Sequence, residues 1–163
     1  MDLSKAARDP WVWGQLGLIL VIGLAAPLLP RHVNLGAADF MLNRVDPTSI
    51  RWLGAPLLGL GALMVLWGAH SLGHNLTPGT EPLAGAELVT TGAYAHVRHP
   101  IYAGAVLLLA GYTLAWSNWT LALLAGFAAL TFFKAKAARE EVWLRARFPG
   151  YESYRWRVRR MVL

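Results

Sequence analysis

The sequence predicts an all-α polytopic membrane bundle of about four transmembrane helices, with no Rossmann sheet. Hydrophobic residues make up 56% of the 163-residue chain and charged residues only 15%, against about 25% charged in an average soluble domain. The apolar residues fall into long charge-free runs, and the excess positive charge follows the last of these runs. We therefore expect residues 1–163 to form a single membrane domain.

The first predicted span is Trp11–Leu29, because its nineteen uncharged residues suffice to cross a hydrocarbon core of about 30 Å. A cleaved signal peptide is the alternative, but the run exceeds the usual apolar region of about 7–15 residues and no good cleavage site follows. Residues 31–51 are mixed and polar, which predicts a loop or interfacial segment. The second predicted span is Trp52–Leu72, with Pro56 in its first turn, where a missing N–H costs least.

Residues 74–99 differ in composition from the apolar runs on either side. They contain Pro78, Pro82, several glycines and two glutamates, which predicts a connecting loop. Structureless loops longer than about 12–15 residues are usually functional or disordered. Between two membrane spans, we expect this loop to be functional.

Residues 101–133 carry no charge, and one helix of this length would measure about 50 Å at 1.5 Å per residue. The polar pair Ser117-Asn118 interrupts the run, and a tryptophan flanks it on each side, as is typical of a turn at a membrane interface. The sequence therefore predicts a helical hairpin, with spans over Pro100–Trp116 and Asn118–Phe133.

Residues 134–160 are predicted to form a charged helix followed by an interfacial tail, with Pro149-Gly150 between them. From Lys134 to the end the chain has nine Lys/Arg and three Glu, which equals the net charge of +6 for the whole chain. A basic tail is compatible with nucleic acid, but after four apolar runs it favours contact with anionic membrane lipids and no nucleic-acid partner. Because positive residues concentrate on the cytoplasmic side, we expect both termini and the 74–99 loop there.

Several classes of site are disfavoured. The chain has no cysteine, which rules out disulfides, thiolate metal sites and cysteine nucleophiles. His70 and His74 are four residues apart but lack the glutamate of a zinc-protease motif, so no metal site is predicted. The chain also lacks the glycine-rich and nucleophile-elbow motifs of the ordinary nucleotide-binding and hydrolase folds.

The densest polar cluster lies at the end of the 74–99 loop and includes Tyr94, Arg98 and His99. Arg98 and His99 come directly before a helix that is predicted to start at Pro100. The free N–H groups and positive dipole end of such a helix suit a carboxylate or a phosphate. The alternative is that Arg98 and His99 only anchor the chain at the membrane interface.

A second cluster follows the last span and contains the adjacent carboxylates Glu140 and Glu141. Lys136–Glu140 and Glu141–Arg145 are pairs at i,i+4 spacing, each worth a few tenths of a kcal/mol on a helix surface. One interpretation is therefore a solvated, salt-bridged helix face. The other is that two carboxylates directly after a membrane span hold an ammonium group.

Taken together, the second half of the chain resembles the superfamily of isoprenylcysteine carboxyl methyltransferases and phospholipid methyltransferases. The resemblance covers residues 88–160, just under half of the chain. It rests on Leu-Val-x-x-Gly-x-Tyr at residues 88–94, Arg-His-Pro-x-Tyr-x-Gly at residues 98–104, the charge-free hairpin, Glu140-Glu141, and Tyr151 with Tyr154. Each motif alone is weak, but their order and spacing are fairly specific.

The resemblance implies S-adenosylmethionine as cofactor, enclosed by the loop and the start of the hairpin. It assigns cofactor binding to Leu88, Val89, Tyr94, His99, Pro100, Tyr102 and Glu140. We assign the catalytic roles to Arg98 and Glu140, and substrate binding to Lys136 and Glu141. Lys136 stands where the eukaryotic prenylcysteine enzymes have an arginine for the substrate carboxylate, and lysine lacks the bidentate fork of arginine.

The expected function is therefore methyl transfer to a lipid-like or apolar acceptor at the cytoplasmic face. The acceptor classes that remain open are a prenylcysteine carboxylate, a phospholipid amine and a small thiol. Two alternatives also remain, namely an NADPH-binding membrane protein similar to the sterol reductases, and a non-enzymatic membrane scaffold or transporter. Binding of S-adenosylmethionine, of its demethylated product or of NADPH distinguishes the three.

Overall fold

The fold is an all-α bundle, as predicted. The computed structural model describes residues 7–29, 47–116 and 119–161. Within these ranges the only β-type pairing is an isolated parallel bridge between Val97 and Arg159. Short 3₁₀ turns occur at Gly73–Asn75 and Gly92–Ala95. The α-helices are α1 (Pro10–Leu28), α2 (Pro47–Leu72), α3 (Pro100–Ala115), α4 (Trp119–Arg147) and α5 (Tyr151–Arg157).

Three of these helices, α1, α2 and α4, are long and apolar enough to cross a membrane. Helix α3 is apolar but has only 16 residues, which is about 24 Å of helix. Helix α2 begins at Pro47, so the last five residues of the predicted loop or interfacial segment over residues 31–51 are helical and do not form a loop. Residues 30–46 and the predicted Ser117-Asn118 turn lie outside the described residues.

Helix α4 continues without a break from its apolar part into the charged segment that follows Lys134. Large apolar side chains on α1, α2 and α4 are exposed, among them Leu20, Leu66 and Phe127. Exposed apolar surface of this extent marks contact with a membrane or a partner rather than with water. The outer surface therefore agrees with an integral membrane bundle.

Helices α2 and α3 pack backbone against backbone through glycines. A Cβ atom added to Gly104 would lie 2.6 Å from the carbonyl oxygen of Gly61, and one added to Gly111 would lie 3.0 Å from that of Gly54. Such small-residue contacts are typical of helix pairs in membranes, where close approach maximises van der Waals contact. This packing fixes the start of α3 relative to the end of α2.

The N-terminus of α1 is joined to the loop between α2 and α3. Asp9 caps α1 by accepting a hydrogen bond from the Trp11 N–H at 2.9 Å. Its other carboxylate oxygen accepts from the Thr80 N–H at 2.6 Å and from the Thr80 hydroxyl at 2.9 Å. One side chain therefore caps the start of α1 and anchors a loop residue 71 positions further along the chain.

The C-terminal segment folds back against the residues that precede α3. The Tyr154 hydroxyl donates to the Tyr94 carbonyl at 2.7 Å. The N–H groups of Arg98 and His99 donate to the carbonyls of Arg159 and Arg160 at 2.8 and 3.1 Å. Tyr151 and Tyr154 are both buried, so these two side chains of the predicted interfacial tail pack inside the protein.

Candidate functional site

A cavity of about 320 Å³ lies where the loop over residues 75–89 meets the helices. This volume is at the lower end of the range of about 300–1,000 Å³ that is usual for small-molecule pockets. Each of the five described α-helices contributes to its wall, through Gln15 of α1, Leu72 of α2, Tyr102 of α3, Lys136 of α4 and Tyr151 of α5. The site therefore depends on the whole bundle.

Most of the site residues predicted from the sequence line this cavity. They are Leu88, Val89, Tyr94, Arg98, His99, Tyr102, Lys136 and Glu140. The two others, Pro100 and Glu141, are buried outside the lining. Pro100 occupies the first turn of α3 and lies against Gly68 of α2.

A stacked group of side chains holds Glu140 at the cavity wall. The His99 and Tyr102 rings are parallel within 2° at a centroid distance of 5.3 Å, and Phe133 stacks against Tyr102 at 5.2 Å. The Tyr102 hydroxyl donates to Glu140 Oε2 at 2.7 Å. His99 Nδ1 lies 3.6 Å from the same oxygen. These contacts fix the position of one carboxylate oxygen beside the cavity.

Glu141 lies at the centre of a buried ion cluster. Its side chain is 1% exposed and accepts two hydrogen bonds from Arg160, at 2.9 and 2.8 Å. Arg98 Nη1 lies 3.0 Å and His99 Nε2 lies 3.3 Å from Glu141 Oε1. The interpretation of this carboxylate as part of a solvated helix face is therefore wrong. Glu141 instead orients Arg98 and His99, the two residues that precede α3.

Lys136 is buried and connects three parts of the chain. Its ammonium group donates to Gln15 Oε1 of α1 and, at 2.9 Å, to the Pro78 carbonyl of the loop. It also lies 5.3 Å from the centroid of the Tyr102 ring, within the range of a cation–π contact. The surface pair with Glu140 that the i,i+4 spacing suggests is thus replaced by contacts with α1 and the loop. Contacts with described residues use two of the three ammonium donors of Lys136.

Comparison with known proteins places these residues in a family. The family model described as phospholipid methyltransferase matches residues 49–150, a range that includes α3, α4, the loop of the cavity and all but the first two residues of α2. The chain belongs to the phospholipid methyltransferase family. This finding confirms the resemblance that the motifs between Leu88 and Glu141 indicate.

One curated relative of this family member is the protein-S-isoprenylcysteine O-methyltransferase of Schizosaccharomyces pombe. It is 38% identical over 72 residues, which cover 44% of this chain and 30% of the relative. The matched region therefore spans less than a third of the length of that relative. Both comparisons name methyltransferases, and neither names a reductase.

The residues missed by the sequence analysis include Gln15, Tyr151 and Arg160, and these three lie outside the range that the family model matches. Gln15 and Tyr151 line the cavity, while Arg160 holds Glu141. For Tyr151 a signal existed, because Tyr151 and Tyr154 are three residues apart and share one side of α5. No local pattern identifies Gln15 or Arg160, since their partners lie 121 and 19 residues away.

The tyrosines of the loop and of α5 remain neutral at physiological pH. Burial raises the pKa of Tyr94 far above its usual range. Burial and the nearby Glu141 charge raise the pKa of Tyr151 to about 12, although Arg98 opposes this shift. Both side chains therefore present hydroxyl groups, and not phenolates, to a ligand.

Proposed function

We propose that this protein is an S-adenosylmethionine-dependent methyltransferase that modifies a lipid-like or apolar acceptor at the cytoplasmic face of the membrane. The observation that carries the proposal is one cavity that joins the Glu140 carboxylate, the Arg98 guanidinium and the rings of Tyr94 and Tyr102. A carboxylate and aromatic faces attract a cation, while a guanidinium attracts an anion.

These residues fit S-adenosylmethionine, which combines a sulfonium, an ammonium, a carboxylate and an adenosine group. Glu140 and the tyrosine rings would hold its cationic groups, and Leu88 and Val89 would contact its less polar parts. Its carboxylate would need a cation such as Arg98. When bound, the cofactor supplies an electrophilic methyl group.

The side chains of the site would act mainly by positioning and by fixed charge. Glu140 is held by Tyr102, so its negative charge needs no reorganisation during the reaction. A protonated amine acceptor would also need a base. His99 is better placed for this role than Glu141, because Glu141 is already engaged by two guanidinium groups. A carboxylate or thiolate acceptor would need no base.

The apolar surface and the comparisons support a lipid-like acceptor. The cavity lies in a bundle whose apolar outer surface is exposed, so an acceptor could approach from the membrane. The family is named for phospholipids and the relative for an isoprenylcysteine. The basic residues after Lys134 favour the cytoplasmic side for the cavity and for both termini.

A methyl-transfer assay tests the proposal. Detergent-purified protein is incubated with methyl-tritiated S-adenosylmethionine and a membrane lipid extract, and label is measured in the organic phase. Parallel reactions contain a prenylcysteine or a small thiol. We expect label in at least one acceptor class. Absence of transfer to every class by folded protein would overturn the proposal.

A further inference from the structure

Two arginines share one carboxylate beside the cavity. Glu141 accepts both of its short hydrogen bonds from Arg160, at 2.9 and 2.8 Å, in the bidentate geometry that suits a guanidinium and a carboxylate. Arg98 approaches the same group through Nη1 alone, at 3.0 Å. Among the described residues, no other carboxylate lies within 4.0 Å of Arg98. Two guanidinium charges against one carboxylate leave one positive charge uncompensated.

Unused hydrogen-bond donors occur at the same place. The Arg98 side chain is 9% exposed, and its Nε makes no hydrogen bond to any described residue. The buried Tyr151 hydroxyl likewise makes no hydrogen bond of normal geometry within the described ranges, although Arg98 lies close enough to oppose the rise of the Tyr151 pKa. Arg98 and Tyr151 both line the cavity. A buried donor without a partner is unfavourable, so a ligand that accepts these bonds would be stabilised at this place.

We propose that Arg98 and Tyr151 form an anion subsite that binds the carboxylate of the amino-acid end of S-adenosylmethionine. This inference rests on the proposed function. Arg160 acts as a positioning residue, because its bidentate contact with Glu141 limits Arg98 to a single contact through Nη1 and leaves the Arg98 Nε for the ligand.

The arrangement of the neighbouring charges supports an amino-acid ligand. His99 lies between the two carboxylates, with Nε2 at 3.3 Å from Glu141 and Nδ1 at 3.6 Å from Glu140. The cavity wall therefore has a cationic group, Arg98, and an anionic group, Glu140, and His99 contacts both Glu140 and the carboxylate that pairs with Arg98. An α-amino acid carries a carboxylate and an ammonium group close together, which matches charges of both signs in one small cavity.

A pair of ligands tests the subsite without a change in the protein. Decarboxylated S-adenosylmethionine differs from S-adenosylmethionine only by the missing carboxylate. In calorimetric titration, the detergent-purified protein should bind the complete cofactor at least ~tenfold more tightly than the decarboxylated form. This is the effect expected from one charge-assisted hydrogen bond. Arg98→Gln should remove this preference, and Tyr151→Phe should reduce it.

Arg145→Gln is the matched control, because Arg145 also contacts Glu141, at 3.7 Å, but its side chain is 44% exposed. It should keep the full preference. Equal affinity of the unaltered protein for both ligands would overturn the subsite, even if Arg98→Gln fails to fold. The subsite would also be overturned if Tyr151→Phe and Arg98→Gln both fold and both keep the full preference for the complete cofactor. Failure of both ligands to bind would overturn the proposed function as well.

Discussion

Replacement of Glu140 by glutamine tests whether this carboxylate takes part in catalysis or only forms part of the protein surface. Glu140 Oε2 accepts a 2.7 Å hydrogen bond from Tyr102 and lies 3.6 Å from His99 Nδ1. Glutamine retains an oxygen that can accept the Tyr102 bond, but it removes the negative charge. The side chain is 25% exposed, so we expect the free energy of unfolding to change by less than about 1 kcal/mol.

The expected effect on turnover is much larger. A hydrogen bond to a charged group contributes about 1.5–3 kcal/mol, and the loss of charge beside a cationic cofactor adds to this. We therefore expect Glu140→Gln to lower turnover at least ~100-fold, which corresponds to about 2.7 kcal/mol of lost transition-state stabilisation.

The assay is initial-rate methyl transfer at saturating cofactor, with a thermal melt in the same detergent to verify folding. Glu152→Gln is the matched control, because Glu152 is 51% exposed and its charge is paired with Arg155 at 2.7 Å on the surface. The control should turn over at the normal rate. A near-normal rate for folded Glu140→Gln would refute the catalytic role of this carboxylate.

Three further substitutions test the cavity and its support. His99→Ala should weaken S-adenosylmethionine binding at least ~tenfold in a calorimetric titration, because it removes the ring between Glu140 and Glu141; unchanged affinity of a folded variant would contradict this role. Glu141→Gln should lower the free energy of unfolding by about 3–5 kcal/mol in denaturant titration, since it leaves two arginines beside a neutral group. An unfolding curve like that of the unaltered protein would argue against the ion cluster. Gly104→Ala should lower the free energy of unfolding in detergent by about 1–3 kcal/mol through overpacking. Gly59→Ala is the control and should be tolerated, because a Cβ added to Gly59 meets open space. Equal stability of these two variants would contradict the tight α2–α3 contact.

The helices could be predicted from the sequence because each depends on a local pattern. Charge-free runs gave the positions of α1, α2, α3 and the apolar part of α4 to within a few residues. Pro100 marked the start of α3, where proline is favoured in the first turn. The motifs around Tyr94, His99 and Tyr102 also indicated that the loop and the start of α3 contribute to one site, and all three residues line one cavity.

The contacts that hold the site residues in position could not be predicted, because they join parts of the chain that are distant in sequence. The spacing of Lys136 and Glu140 suggested a surface pair, but burial at the junction of α1, α4 and the loop directs Lys136 to Gln15 and Pro78. The spacing of Glu141 and Arg145 does correspond to a contact, at 3.7 Å. The shorter bonds to Glu141 nevertheless come from Arg160, which reaches it only because the chain turns back after Pro149-Gly150.

Ligand binding tests the central claim most directly. Purified protein in detergent is titrated calorimetrically with S-adenosylmethionine, S-adenosylhomocysteine and NADPH in separate experiments. We predict saturable binding of the first two compounds at a single site and no binding of NADPH. Binding of NADPH without binding of S-adenosylmethionine, or binding of none of the three by folded protein, would contradict the account.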